Sequence, residues 1–321
     1  MPENIIDLLK KNNDYYSGAK ISAELGITRA AVWKKIIALR KKGFVIDAVP
    51  SKGYRLVKFP DLSEEYIKSG FKGELWEDIF VYDRVSSTNE LAMSLATKDD
   101  LWTNTVIIAD SQEKGKGRLG RVWISQPGKN IFMSILLRPE LDTRDATMLT
   151  LLAAVSCAHA IKRVSSLPVL IKWPNDLILS GKKLGGILTE IRADIDKVNL
   201  AVVGIGINVN MVKKDFTEEI HSIATSIKEE SGKYCSRNEL VIEILRQFEH
   251  FYNILIKQGK RSLLDEWKTL SSTIGKNVKA VIGDETVIGF VEDIDDSGML
   301  ILKLRSGLLR QISAGDITLL R

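Results

Sequence analysis

The chain has 321 residues, 45% of them hydrophobic, and a net charge of +5, which is enough material for two or three domains, each with its own core. Its two cysteines, Cys157 and Cys235, lie far apart in helical stretches, and its three histidines lack metal-ligand spacing, so a disulfide scaffold, a zinc enzyme and a triad hydrolase lose most of their weight. No apolar run approaches the ~18 residues of a membrane span, and the start Met1-Pro2-Glu3-Asn4 lacks the basic-then-apolar order of a secretory signal; a cytoplasmic protein without a membrane partner is expected.

The charge is uneven. Residues 1–60 hold twelve lysines and arginines against five acids, a balance of +7 that leaves −2 for the rest. A polyanion partner is therefore expected at that end. Ile5, Ile6, Leu8 and Leu9 predict a first helix, and Lys20 to Gly26 a short second one. Thr28 can cap a third helix whose core side is Val32, Ile36 and Leu39. Phe44-Val45-Ile46 and Tyr54-Arg55-Leu56 flank a turn-rich Pro50-Ser51-Lys52-Gly53 and read as a β-hairpin. The whole resembles a winged helix-turn-helix domain over residues 1–60. Major-groove contact then falls to Ser22, Thr28, Arg29, Ala30, Trp33, Lys34 and Lys35, with the cations neutralising phosphates. The bland alternative is a solvated basic face on a protein-interaction domain. Phe59 to Ser63 carries a proline and reads as a hinge.

From residue 61 to 272 strands outnumber helices. Candidate strands are Ile79 to Tyr82, Thr105 to Ala109, Ile131 to Leu137, Val169 to Trp173, Leu184 to Ile191 and Val198 to Ile207, with long helices over Asp145 to Val164 and Asn238 to Lys257. This pattern predicts an α+β domain with a mixed or largely antiparallel sheet and helices on one face. Ser87 with Glu90 has the spacing of a helix capping box.

Gly115-Lys116-Gly117-Arg118-Leu119-Gly120 satisfies GxGxxG, but β-favouring Val122-Trp123-Ile124 follows it instead of a helix, so it is no dinucleotide fingerprint. What remains is a glycine-rich loop carrying Lys114, Lys116, Arg118 and Arg121, suited to a phosphate ester and to ordering over its ligand; alone, it would pass for a mobile basic surface loop. Lys172, Asn175 and Asp176 cluster polar groups at a strand end beside Trp173-Pro174, which by themselves read as core and turn. Lys183 follows a predicted turn, where a lone lysine is usually solvated, and Gly204 and Gly206 leave room beside a strand.

Taken together, Ser87-Thr88-Asn89, the Gly115 to Trp123 run, Lys172-Trp173-Pro174-Asn175-Asp176, Lys183-Leu184-Gly185-Gly186-Ile187-Leu188-Thr189-Glu190 and Gly204-Ile205-Gly206-Ile207-Asn208-Val209-Asn210 resemble the signature series of biotin–protein ligases. With the winged domain in front, the chain is similar to the bifunctional class, which also represses biotin genes. That resemblance implies biotin binding by Ser87, Thr88, Asn89, Gln112, Lys116, Gly117, Arg118, Lys183 and Gly186. It implies ATP and adenylate binding by Arg121, Trp123, Lys172, Asn175 and Asn208, and catalytic roles for Lys183, Arg118 and Asp176. Mg²⁺ enters with ATP, and no permanent metal is expected. The implied partners are a biotin carboxyl carrier protein of acetyl-CoA carboxylase, operator DNA and a second copy of the chain. Where the family usually reads Gly-Arg-Gly-Arg, position 116 is lysine, which keeps the charge and loses the planar fork. A biotin-sensing regulator without ligase activity and a lipoate-type acyl ligase are the alternatives. From Ile274 onward, short strands Val278 to Ile282, Val287 to Val291, Leu300 to Leu304, Leu309 to Ile312 and Ile317 to Leu320 predict a small β-barrel that resembles the family's SH3-like tail, residues 273–321.

Overall fold

The structure, a computed structural model, describes residues 5–11, 14–71, 75–99, 102–313 and 315–320; the Met1-Pro2-Glu3-Asn4 start lies outside them. Backbone contacts divide it between Ser69 and Gly70 into two units.

In the first unit, α1 (Ile5–Lys11), α2 (Gly18–Leu25) and α3 (Arg29–Lys41) precede the antiparallel hairpin of β1 (Val45–Val49) and β2 (Gly53–Lys58). Helix starts follow from local hydrogen bonding. Ser17 accepts from the Lys20 amide at 3.2 Å, and Thr28 accepts from the Ala31 amide at 3.2 Å. Gly26, at φ 63°, stops α2 in the left-handed conformation that glycine reaches without strain. The core contains the predicted side of α3: Val32 and Ile36 meet Ile5, Ile6, Leu8, Leu9 and Ile21, with Leu39 packed against them. The stretch read as a hinge is packed. Phe59 lies 5.6 Å from Phe44 and 4.7 Å from Tyr66 of α4 (Glu64–Gly70), ring centre to ring centre.

The second unit is built on a seven-stranded mixed sheet. In chain order its elements are β3 (Asp78–Val85), α5 (Thr88–Lys98), β4 (Thr105–Gln112), β5 (Asn130–Leu137), α6 (Thr147–Ser165), β6 (Leu170–Lys172), β7 (Asp176–Leu179), β8 (Lys182–Ala193) and β9 (Val198–Asn208), then α7 (Ile227–Ser231), α8 (Arg237–Gln258) and α9 (Arg261–Leu270). Spatially the strands run β3-β4-β5-β9-β8-β7-β6, with β3 and β4 parallel and every other pair antiparallel.

Helices cover both faces, which corrects the one-face expectation. Alternation decides it: Ile107, Leu136 and Val202 point to one face and pack with Ala92 and Ala96 of α5. Thr189 points to the other, where its hydroxyl meets Thr150 of α6 at 2.7 Å. Helix α6 is the one described helix with the length and composition of a membrane crosser, contrary to the reading that no such stretch exists. It is instead the core helix, packed against α8, α9 and the sheet, with Leu149, Leu152, Ala153 and Val155 fully buried.

The C-terminal strands β10 (Asn277–Ile282), β11 (Glu285–Ile294), β12 (Leu300–Leu304), β13 (Leu309–Ile312) and β14 (Asp316–Leu319) form a five-stranded antiparallel sheet ordered β13-β12-β11-β10-β14. Val278, Ala280, Val291, Leu300 and Leu302 fill its inner side. No ladder joins β13 to β14 among the described residues, so hydrogen bonds leave the expected small barrel open along one seam. Trp173 fixes this sheet to the central one, donating from Nε1 to the Gly298 carbonyl at 2.9 Å and from its backbone to Thr273 Oγ1 at 3.0 Å.

Ile36 is 1% exposed at the centre of the first unit's core. Ile36→Ala is expected to cost about 2–5 kcal/mol. Hydrogen exchange should show protection lost across α1 to α3, with the central sheet unchanged.

Candidate functional site

The central feature of the second unit is a floor of glycines on the face that α5 leaves partly uncovered. Gly186 of β8 lies directly opposite Gly206 of β9, and Gly206 opposite Phe132 of β5; one step along, Leu188, Gly204 and Ser134 form the next row. The missing side chains make room for an aromatic ring. A Cβ on Gly206 would sit 3.0 Å from the Trp123 indole, and one on Gly186 would sit 3.4 Å away. The Trp123 Nε1 is buried and has no hydrogen-bond partner among the described residues.

Two cavities meet at this ring and share Lys116, Trp123, Gly186 and Leu188. The smaller, about 40 Å³, is lined by Ser87, Thr88, Asn89 and Gln112. The larger, about 380 Å³, is lined by Arg118, Arg121, Lys172, Asn175, Asp176, Lys183 and Asn208. The structure thus gathers every residue that the sequence reading assigned to small-molecule binding around these two adjoining spaces.

Lys183 reaches the site through an irregularity in β-pairing. Asp176 faces Gly186 across the ladder, and Ile178 faces Lys183, so an extra residue is accommodated on β8 between the two pairs. Without this bulge, Lys183 and Gly186, three residues apart, would point to opposite faces. With it, Lys183 joins Asp176 on the glycine face. Its ammonium lies 2.6 Å from Asp176 Oδ1 and 5.6 Å from the Trp123 ring centre. The turn before it suits a two-residue hairpin, with Ser180 at φ 51° and Gly181 at φ 77°. The Lys183 backbone is held from its other side, donating to the Ile223 carbonyl at 2.8 Å and accepting from the Thr225 amide at 2.9 Å.

The basic loop is ordered by its own backbone: Gly117 donates to the Arg121 carbonyl at 2.7 Å, and Trp123 to that of Gly115 at 2.9 Å. Three of its cations have protein partners. Arg118 donates to Asn175 Oδ1 at 3.1 Å, Arg121 pairs with Asp316 of β14, and Lys116 Nζ lies 2.6 Å from Glu90 Oε1. The Lys116 ammonium holds the Glu90 carboxyl below its ordinary range and is itself raised by it. A depressed carboxylate contributes above its unfolded pKa, so this pair is intact at neutral pH and its contribution fades as pH falls through the lowered Glu90 value. The expected Ser87 capping box does not form, because Glu90 is drawn to Lys116 and to Ser86 at 2.8 Å. Ser87 makes no capping hydrogen bond and stays buried at the small cavity.

Several residues escaped the sequence reading. Ser134, the one hydroxyl inside the apolar run of β5, touches both Thr88 and Asn89. Met211, Phe216, Ile220, Ile223 and Ala224 form an apolar wall of the larger cavity beside Asn208, whose amide donates to the Thr225 carbonyl at 3.0 Å. The lone isoleucines in the polar Glu218 to Ser226 stretch were the available signal. Asp316, Ile317 and Thr318 come from the C-terminal sheet, and no local pattern ties them to this site.

In the first unit, Arg29, Ala30, Trp33, Lys34 and Lys35 are exposed on α3, Trp33 at 56%. Thr28 is committed to its cap, and the Ser22 hydroxyl donates to the Ile27 carbonyl, closing the turn between α2 and α3. A groove of about 560 Å³ runs between α3 and the hairpin, lined by Arg29, Trp33, Arg40, Pro50 and Tyr54. The hairpin adds Lys52 and Arg55, the latter with its guanidinium 4.8 Å from the Tyr15 ring centre.

Comparison with known proteins agrees with this organisation. Residues 81–208 match the Biotin/lipoate A/B protein ligase family, residues 3–55 an HTH domain and residues 273–320 the Biotin protein ligase C terminal domain. The chain is 40% identical over 320 residues to the Bifunctional ligase/repressor BirA of Bacillus subtilis, covering 99% of this chain and 98% of that protein. It is 30% identical to its Escherichia coli namesake, covering 99% and 97%. Among solved structures, the Biotin protein ligase from Aquifex aeolicus in complex with biotin and ATP superposes with a TM-score of 0.66 at 27% identity, covering 77% of this chain and all of that one. An N-terminal helix-turn-helix, a two-cavity ligase site and full-length similarity identify the chain as a member of the bifunctional biotin ligase/repressor family.

Proposed function

We propose that the second unit joins biotin to ATP, giving biotinyl-5′-AMP and diphosphate, and then passes biotin to a lysine of the biotin carboxyl carrier protein of acetyl-CoA carboxylase. The observation that carries this reading is that the two cavities adjoin along shared residues, with Lys183 and Asp176 in the larger one beside the shared Gly186. The smaller space suits the ureido ring: Ser87, Thr88, Asn89 and Gln112 offer paired donors and acceptors at its end. The larger space takes the adenylate, with Asn208 and the apolar wall for the base, and Lys172, Asn175, Arg118 and Arg121 near the phosphate.

The chemistry follows from charge. A biotin carboxylate oxygen bonds to the α-phosphorus of ATP as the bond to the bridging β-phosphate oxygen breaks and diphosphate leaves. The acceptor amine then attacks the acyl carbon, AMP leaves with the electron pair, and the amine gives up a proton. Both steps concentrate negative charge, which Lys183, Arg118, Lys116 and Arg121 stabilise, while Asp176 holds the Lys183 ammonium in place. Among the described residues no group of three acids, histidines or cysteines could hold a metal. Mg²⁺ carried by the nucleotide phosphates, with Asp176 the nearby carboxylate, would add charge neutralisation.

The N-terminal unit is proposed to bind operator DNA through α3, and biotinyl-5′-AMP to act as corepressor. A single winged helix reads few base pairs, which favours a homodimer on a two-fold operator. The reactions belong in the cytoplasm, where ATP and the carrier protein are found.

Incubating the protein with apo carrier domain, biotin, ATP and Mg²⁺ is expected to add one biotin mass by mass spectrometry, with no change in a lipoate control. No modification of an active acceptor would leave a biotin-sensing regulator as the reading. Lys183→Met is expected to slow adenylate formation by about 10²–10³-fold in single turnover. Gly204→Ala places a Cβ 2.3 Å from Asn89 Oδ1, and biotin titration calorimetry should show binding lost. Replacing Lys34 and Lys35 with alanine should weaken DNA binding across sequences and lower its salt dependence by about two ion equivalents per protomer in fluorescence anisotropy.

A further inference from the structure

Glu190 lines neither cavity, yet it lies at the root of a hydrogen-bond chain that ends in the smaller one. It sits on β8 two residues beyond Leu188 and on the same face. Asn89 Nδ2 lies 2.7 Å from Glu190 Oε2 and 3.2 Å from the Leu188 carbonyl oxygen. Carboxylate and carbonyl oxygens only accept, so the amide nitrogen must face them and the Asn89 side chain has one orientation.

Each following step is then determined. Asn89 Oδ1 faces Ser134 Oγ at 2.6 Å, and this contact can be bridged only by the Ser134 proton. Ser134 has no second proton, so its 2.7 Å contact with Thr88 Oγ1 uses the threonine proton, in preference to the longer 3.2 Å contact of that hydroxyl with Gln112 Oε1. Gln112 Oε1 accepts the Thr88 amide at 2.8 Å, so the Gln112 carboxamide is oriented as well. With its proton turned inward, Thr88 Oγ1 keeps its free lone pairs for the cavity, where Gln112 Nε2 and the Ser87 hydroxyl can supply donors. An acceptor beside a donor complements one edge of a cyclic urea, where an N–H that donates adjoins the carbonyl that accepts.

We propose that Glu190 is a positioning residue that sets the donor–acceptor polarity of the small cavity and thereby its selectivity for a cyclic urea. Lost or reversed, the same chain would turn the Thr88 proton toward the urea N–H. The proposal rests on the assignment of the small cavity to the ureido ring, so wild-type protein that fails to bind biotin refutes that assignment and not the role of Glu190 alone.

The test compares Glu190→Ala, Glu190→Gln and Ser134→Ala by biotin titration calorimetry and by KM for biotin and for ATP in adenylate formation. Glu190→Ala is expected to weaken biotin on the order of tenfold and leave the ATP KM within about twofold, as the loss of a charged acceptor predicts. Glu190→Gln, which can still turn an oxygen to Asn89, should recover most of the affinity. Ser134→Ala should weaken biotin too, and Glu190→Ala added to it should cost little more, because the chain is already cut. Unchanged biotin affinity in a Glu190→Ala protein with wild-type thermal midpoint, or equal rises in both KM values, overturns the proposal. Should Glu190→Ala not fold, unchanged biotin affinity in Ser134→Ala overturns it equally.

Discussion

The site depends on the strict alternation of a β-strand and on the single place where β8 breaks it. Across β5, β9 and β8 the glycine face presents Ser134, Gly204 and Leu188 in one row and Phe132, Gly206 and Gly186 in the next. That face is low enough for Trp123 to lie on it. Lys183 belongs there only because the ladder shifts by one residue between Leu177 and Ile178. A regular strand would have turned its ammonium toward α6, away from Asp176 and from the loop cations. The short turn at Ser180-Gly181 and the backbone clamp from residues 223 and 225 hold that shifted strand end in place.

The opposite face carries a different burden. It packs α6, and through α6 the helices α8 and α9, which leaves it almost wholly apolar. The two faces divide stability from chemistry. On the glycine side Asn89, Ser134, Thr88 and Gln112 satisfy one another around the small cavity, while the Trp123 Nε1 is left without a protein partner among the described residues. Trp173 serves the packing side despite its place in a polar cluster, since it is 2% exposed and anchors the C-terminal sheet.

Much of this was legible in the residues. Periodicity located α6 and α8 to within a few residues, the cap at Thr28 set α3, and turn chemistry separated all five C-terminal strands. The ordered glycine and lysine motifs marked which residues would converge, although they lie more than a hundred positions apart. What stayed hidden is non-local. Nothing near Glu90 announces that Lys116 will draw it from the Ser87 cap, and nothing near Asp316 announces a contact with Arg121. Helices on both faces were missed although α5 carries Ala92 and Ala96 in the core with Leu91, Met93 and Leu95 packed against it, because an apolar helix face does not say which side of the sheet it will cover. Local pattern reports what a segment can bury and is silent on which face of a sheet will receive it.

Electrostatics also explains how a loop with several cations can be ordered and yet keep those cations available for the phosphate ligand proposed for it. Lys116 and Glu90 are each more than 40% exposed, and Arg121 is 64% exposed beside Asp316. Pairs so wet contribute roughly 0–1 kcal/mol, so exchanging a protein carboxylate for a ligand carboxylate or phosphate has a low cost. Lysine at position 116 favours that exchange. It meets Glu90 as a point charge through one short contact, without the two-pronged geometry that would bind arginine more firmly. Lys183 and Asp176 are less exposed, at 39% and 21%, and the aromatic face of Trp123 lies beside the ammonium. Their pair is therefore the fixed reference in the site, and the loop cations are the adjustable part, able to leave Glu90 and Asp316 once a more charged partner occupies the cavity.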